Sequence, residues 1–303
     1  MSRRSAVAPW RIHAALTGAQ VGFALFPIFG KLALASIPPF VFSAFRVVGA
    51  VVILDAVRIT HTREPIRPPD RKRILTYALL GVSFNQILFI LGLSLTTAIN
   101  TSILTATIPV FTLAAAVVLR REGMSARGAL GIALAGAGAL TLLNVHHFDW
   151  SSDSSRGVLL LLLNCTSYSL YLVLSRPILA HYNVATFTAA VFRYGAVLIV
   201  LAALPDLARF SPARVPPLAW ACLAAVVVFC TAIPYLLNSW ALARTRASHV
   251  AFYVFLQPVI TTALAILVLG EAFTGKTAMA AALIFAGLAI TVVRGRLIAR
   301  PVP

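Results

Sequence analysis

Five residues of this chain recur at one constant offset. Ala98, Pro109, Val110, Glu122 and Gly138 reappear as Ala247, Pro258, Val259, Glu271 and Gly287, each 149 positions on and without a gap. The frame that carries them, Leu95-Thr96-Thr97-Ala98 through Pro109-Val110 to Arg121-Glu122, returns as Ala243-Arg244-Thr245-Arg246-Ala247, Pro258-Val259 and Gly270-Glu271. Phe45-Arg46 and Phe192-Arg193 carry the match into the earlier part of each half, 147 apart. A duplication of this length obliges the chain to fold as two like units. In an apolar sequence, two like bundles meeting at a central site is the plan of many secondary transporters.

The sequence is apolar throughout. Of its 303 residues, 60% are hydrophobic and 11% are charged, where a soluble domain carries roughly 25% charged residues. Apolar runs of about 20 residues, enough to cross a hydrocarbon core of about 30 Å as helix, recur from end to end. A chain in lipid must satisfy its own backbone hydrogen bonds, which leaves helices or a closed barrel. These runs are too long and too continuous for the alternating strands of a barrel. The expected fold is an all-α membrane protein of ten transmembrane helices. Their approximate spans are 12–36, 38–59, 73–95, 98–119, 126–145, 157–176, 184–204, 217–240, 247–269 and 275–294. Residues 1–147 and 148–303 then hold five spans each. Five is odd, so the second half enters the membrane in the opposite sense, and the pair forms two inverted five-helix repeats.

The formal charge of +17 is a topology signal. With the first residues inside, 18 Lys and Arg fall on the inner segments, at positions such as Arg58, Arg67, Arg71, Lys72, Arg73, Arg120 and Arg121. Five fall outside: Lys31, Arg156, Arg209, Arg214 and Lys276. Basic residues collect in cytoplasmic loops, which places both termini in the cytoplasm and the chain as a multi-pass protein of the cell inner membrane. Spread over six short segments, the charge offers no nucleic-acid surface. Trp10, Trp150, Trp220 and Trp240 sit near span ends, where indoles anchor at the interface. Cys165, Cys222 and Cys230 lie in apolar runs and read as buried small hydrophobes. The run from Ile12 to Ala35 follows Arg3-Arg4 as a signal peptide would, but it is longer than such a core and the repeat needs it as a span.

The two A-x(10)-P-V segments, Ala98 to Val110 and Ala247 to Val259, each followed by a glutamate at the next loop, resemble the EamA family of the drug/metabolite transporter superfamily. Small-residue spans from Gly128 to Leu143 and Ala278 to Val293 close each half in keeping with it. The resemblance covers nearly the whole chain. It implies a central cavity lined by spans 1, 3, 4, 6, 8 and 9, with spans 5 and 10 packed outside. It says little of the substrate, since these families move amino acids, other metabolites and drugs on similar frames.

Polar residues inside apolar spans mark the candidate site. Gln20, Phe23, Pro27 and Lys31 share one face of span one, and Asn164, Tyr168, Tyr171 and Ser175 one face of span six. A polar stripe in lipid faces the bundle or a wet path. Span three offers Asn85, Gln86 and Phe89, which map at 149 onto Pro234, Tyr235 and Asn238 of span eight. Span four offers Thr101 and Thr105, and span nine Tyr253 and Gln257. The substrate-binding set is therefore Gln20, Phe23, Asn85, Gln86, Thr105, Asn164, Tyr168, Tyr171, Tyr235, Asn238, Tyr253 and Gln257. Each could equally be an interhelical hydrogen bond. Pro27, Pro109, Pro234 and Pro258 remove a backbone donor within a span and free a carbonyl one turn back; they are candidate hinges. Arg46 and Arg193 are costly at membrane depth and could bind a substrate carboxylate. Spans two and seven are peripheral in the resembled fold, so snorkelling or capping of helix ends is expected of both.

None of the eight acidic residues sits at mid-membrane; Asp55 is near the inner end of span two. Cation exporters and many proton-coupled carriers need such a group, so a neutral, zwitterionic or anionic solute is favoured. The expected function is a secondary transporter of small metabolites, plausibly amino acids, exporting or facilitating by alternating access. A lipid flippase on the same fold is the alternative. An enzyme is not expected: the chain has no H-E-x-x-H and no G-x-S-x-G. No cofactor or resident metal is expected, although His146-His147 with Asp149 and Asp153 form a weak candidate cluster. Partners are the solute and the bilayer. Gly18-x-x-x-Gly22 and the small faces of spans five and ten leave monomer and homodimer both open.

Overall fold

The computed structural model describes residues 9–62, 64–143, 152–179, 181–245 and 247–292. The 147/148 boundary, His146, His147, Asp149 and Trp150 lie outside them. Every regular element among the described residues is helical. Numbered by membrane crossing, the helices are α1 (Pro9–Leu34), α2 (Pro39–His61), α3 (Pro68–Leu95), α4 (Ala98–Val118) and α5 (Ala126–Leu143) in the first half. The second half has α6 (Asp153–Leu179), α7 (Val184–Leu207), α8 (Pro217–Leu242), α9 (Ala247–Phe252 continuing through Leu256–Leu269) and α10 (Gly275–Val292). Nine of these are long and apolar enough to cross a membrane among the described residues. The tenth, α10, has 18 residues and a length of about 27 Å.

Helix starts follow local chemistry. Pro39 and Pro217 open α2 and α8, where the missing N–H costs nothing. Thr97 caps α4 by accepting from Asn100 N at 3.0 Å, and Asn183 caps α7 by accepting from Ala185 N at 2.9 Å. Outward-facing Val118, Leu267, Val52 and Val197 are exposed, a surface that suits lipid tails and not water.

The main helix pairings are unchanged when the halves are exchanged. α2 packs on α7 and α5 on α10; α3 packs on α6 as α8 does on α1; α4 packs on α6 as α9 does on α1; and α4 meets α9. A two-fold relation between repeats requires this set. The α5–α10 pair stands outside the rest and is held by small residues. A Cβ on Gly287 would lie 2.5 Å from the Gly131 carbonyl oxygen, and one on Gly138, its repeat mate, 2.7 Å from that of Ala280. Only glycine lets these backbones approach so closely.

At the end that carries the first and last described residues, loops are tied across the halves. Tyr182 donates to Asp70 Oδ2 at 2.6 Å and accepts from Arg67 N at 3.1 Å, while Glu64 accepts from Asn183 N at 2.8 Å. Burial, and then the bond to Asp70, hold the Tyr182 hydroxyl above its ordinary range. At the opposite end, Glu271 accepts from the backbone N–H groups of Ala98 at 2.7 Å and Ile99 at 2.9 Å. Behind it Ile28, Leu93, Ile99, Ile103, Leu104 and Leu161 form a buried apolar plug. Glu122, the repeat mate of Glu271, is exposed.

Candidate substrate cavity

Four helices break, and the breaks are repeat mates. α3 widens to a π turn at Leu79–Ser83 and α8 at Val228–Ala232, again 149 apart. α4 is interrupted between Thr105 and Ile108, and α9 carries a tight turn at Tyr253–Phe255. Prolines explain part of this. Pro234 cannot bond the Cys230 carbonyl, Pro109 that of Thr105, or Pro258 that of Val254. In α3 the position matching Pro234 is Asn85, and no proline forces the turn. There α6 serves the loosened carbonyls: Ser167 Oγ donates to Leu80 O at 2.7 Å and Asn164 Nδ2 to Asn85 O at 2.7 Å. Ser169 Oγ likewise donates to Ile108 O at 3.1 Å in the broken α4. Irregular backbone survives at membrane depth only where the protein itself satisfies it. Pro27 differs from the others in lying within a continuous α1.

The breaks converge on a cavity of about 60 Å³ between the halves. Its wall is Phe23 and Phe26 of α1, Arg46 of α2, Asn85 and Phe89 of α3, Thr105 and Ile108 of α4, Asn164 and Tyr168 of α6, Tyr235 of α8 and Gln257 of α9. That space is enough for a few waters. The polar wall is bonded across the repeat. Gln257 Nε2 donates to Gln20 Oε1 at 2.6 Å, and Thr105 Oγ1 lies 3.3 Å from Gln257 Oε1. The Tyr235 hydroxyl is shared between Asn85 Oδ1 at 3.2 Å and Gly81 O at 3.3 Å. Within the second half, Asn238 Nδ2 donates to the Tyr168 hydroxyl at 3.0 Å. The rest is aromatic: Phe26 stacks on Phe89 at 4.8 Å, and Phe23 meets Tyr235 edge to face at 5.5 Å.

The expected site residues divide by depth. Phe23, Asn85, Thr105, Asn164, Tyr168, Tyr235 and Gln257 are on the cavity wall. Gln20, Tyr171 and Asn238 stand behind it, bonded or stacked to wall residues. Gln86 is fully buried behind the wall, beside Tyr235. Tyr253 is not at the cavity. It packs with His13 and His249 towards the end where the chain starts, because the tight turn at 253–255 separates its register from that of Gln257.

Arg46 overturns the expectation that both span-two and span-seven arginines are peripheral. It is 2% exposed and on the cavity wall, with its guanidinium 3.9 Å from the Phe26 ring centre and Nε donating to Thr231 Oγ1 at 2.8 Å. Nη1 is buried without a partner. A charge at this depth costs several kcal/mol. The ring returns about 2 kcal/mol and the single charge-assisted bond about 1.5–3 kcal/mol. The half-exposed Arg193 pairs with Asp55 of α2, with Nε 3.3 Å from Oδ2. Sequence reading missed Phe26 and Ile108 and gave Arg46 a peripheral role. The cost of an arginine inside a span was the signal that could have placed Arg46 at the site.

Comparisons with known proteins agree with this architecture. The pattern of the EamA-like transporter family matches residues 10–144 and 155–293, one match per half. An uncharacterized transporter of Archaeoglobus fulgidus is 27% identical over 267 residues, covering 87% of this chain and 91% of its own. The protein WALLS ARE THIN 1 of Arabidopsis thaliana is 25% identical, covering 92% of this chain and 81% of its own. One solved crystal structure superposes with a TM-score of 0.68 over 94% of this chain and 99% of its own at 18% identity, which shows a common fold.

Proposed function

The chain belongs to the EamA-like transporter family, and from that premise we propose that it carries small organic metabolites across the cell inner membrane by alternating access to the central cavity. The observation that carries this reading is the cavity wall itself. Seven helices from both halves contribute, and its hydrogen bonds run from one half to the other. Motion of one half against the other must remake those bonds, and a site that changes with the relative position of two bundles is what alternating access needs. Both termini are cytoplasmic on the basic-loop asymmetry, so the Glu271 end is the outer end. Pro109, Pro234 and Pro258 adjoin the breaks and serve as hinges, with Pro27 bending α1. Export or facilitated exchange of neutral, zwitterionic or anionic metabolites, amino acids among them, fits a wall without a carboxylate.

The test is counterflow into liposomes containing the purified protein, using labelled amino acids, organic acids and nucleosides, with and without a pH gradient. Saturable uptake of one class is expected. Asn85→Ala and Tyr168→Ala should lose it while remaining folded and monodisperse. Wild-type kinetics in both would refute the site.

A further inference from the structure

The cavity wall contains a buried cation with no counter-ion. The ion pairs among the described residues join Asp55 to Arg58 and Arg193 and Asp153 to Arg156; Arg46 takes part in none. The repeat shows what is missing. Arg193 has Asp55 on the facing helix, whereas the position that mirrors Asp55 on α7, at the 147-residue offset of the two arginines, is Ala202. The arginine of the second half is neutralised by the first half, and that of the first half is left open. A guanidinium keeps its proton at neutral pH, so this positive charge is permanent, and its Nη1 donor is unused.

Resting on the reading of this cavity as the solute site, we propose that Arg46 binds the carboxylate of the cargo, and that the cargo is a small organic acid whose apolar body lies against Phe23, Phe26 and Phe89. A carboxylate presents two acceptor oxygens to the guanidinium fork. It also supplies the charge that the chain withholds. A neutral solute would leave Nη1 bare, and a cation would be repelled. Phe26 stacks on the guanidinium and on Phe89 at once, which places the charge-binding group at the edge of an aromatic wall and suits an acid with a flat apolar body. The ammonium group of an amino acid would find amide oxygens here but no carboxylate.

The test titrates the detergent-solubilised protein with phenylacetate, phenylalanine and phenylacetamide, following tryptophan fluorescence and Tm, and then runs counterflow of each. Phenylacetate should bind about 10- to 150-fold more tightly than its amide, the loss expected when a charge-assisted bond is left unmade. Arg46→Gln should lose this preference, and Arg46→Lys should weaken phenylacetate binding. Cys230 adjoins Thr231, whose hydroxyl accepts from Arg46 Nε, so Cys230→Asp should supply an internal counter-ion, raise Tm and abolish the phenylacetate response. Equal binding of acid and amide by the wild type overturns the proposal without reference to any variant. So does undiminished phenylacetate binding in Arg46→Gln or Cys230→Asp. Tighter binding of phenylalanine than of phenylacetate overturns the assignment of a simple acid. Binding of phenylacetate without counterflow would leave the Arg46 assignment standing and remove the carrier reading. Counterflow of neutral solutes with no preference for acids would do the reverse.

Discussion

Removing the Glu271 carboxylate should open the outer end. The first backbone donors of α4 are shared between two caps: Thr97 Oγ1 takes Asn100 N, while Glu271 reaches in from the turn after α9 to take Ala98 N at 2.7 Å and Ile99 N at 2.9 Å. Charge-assisted bonds are worth about 1.5–3 kcal/mol each when buried, and a carboxylate at a helix N-terminus gains about 0.3–1 kcal/mol. Glu271 is half-buried, so water replaces part of this, and a total near 2 kcal/mol is reasonable, or about 30-fold in an equilibrium. In an inverted repeat the mirrored contact joins Glu122 to the first donors of α9, and exposed Glu122 is available for it when the inner end closes. Glu271→Ala should therefore raise the outward-open population about 30-fold, and Glu122→Ala should lower it. The assay is labelling of Ile103→Cys, in the outer plug, by a membrane-impermeant maleimide in a background where Cys165, Cys222 and Cys230 are alanine. A Tm that falls in Glu271→Ala with labelling unchanged within about twofold would mean that Glu271 is a static cap, and would refute the gate.

Other substitutions test the packing. Gly287→Ala places a Cβ 2.5 Å from the Gly131 oxygen and should cost about 1–3 kcal/mol by forcing α5 from α10, read as a fall in Tm; an unchanged Tm would mean that the pair does not rely on close approach. Asp55→Asn removes the partner of the half-exposed Arg193 and should cost under about 1 kcal/mol, with counterflow retained. Arg120 has a φ of 56°, strained for a side chain, and Arg120→Gly should stabilise by up to about 1 kcal/mol, seen as a small rise in Tm.

The fold was legible because its causes are local and periodic. Apolar run length sets helix length, the constant offset sets the duplication, and five spans per half set the inversion. None of these needs a contact to be known. The prolines at 109, 234 and 258 likewise announced three of the breaks. The fourth, at Leu79–Ser83, has no proline; Ser167 of another helix takes its Leu80 carbonyl and Asn164 that of Asn85 just beyond it, and side chains about 80 residues away leave no mark on the local sequence.

The cavity was only half legible for the same reason. A polar residue in an apolar span announces that it faces protein, which is why Asn85, Asn164 and Gln257 could be singled out, but whether it lines a cavity or closes a hydrogen bond depends on its neighbours. Tyr253 and Gln257 are one helical turn apart in sequence, yet a tight turn sends one to the cavity and the other to His13. Arg46 and Arg193 occupy equivalent positions in the two repeats, and sequence alone gives them one role. The sequence determined that the chain is two inverted bundles in a membrane, since solvation and periodicity act on each segment alone. Tertiary structure decided that one arginine is neutralised and the other left bare in the cavity, since a charge is compensated or not by what packing brings within a few ångströms of it.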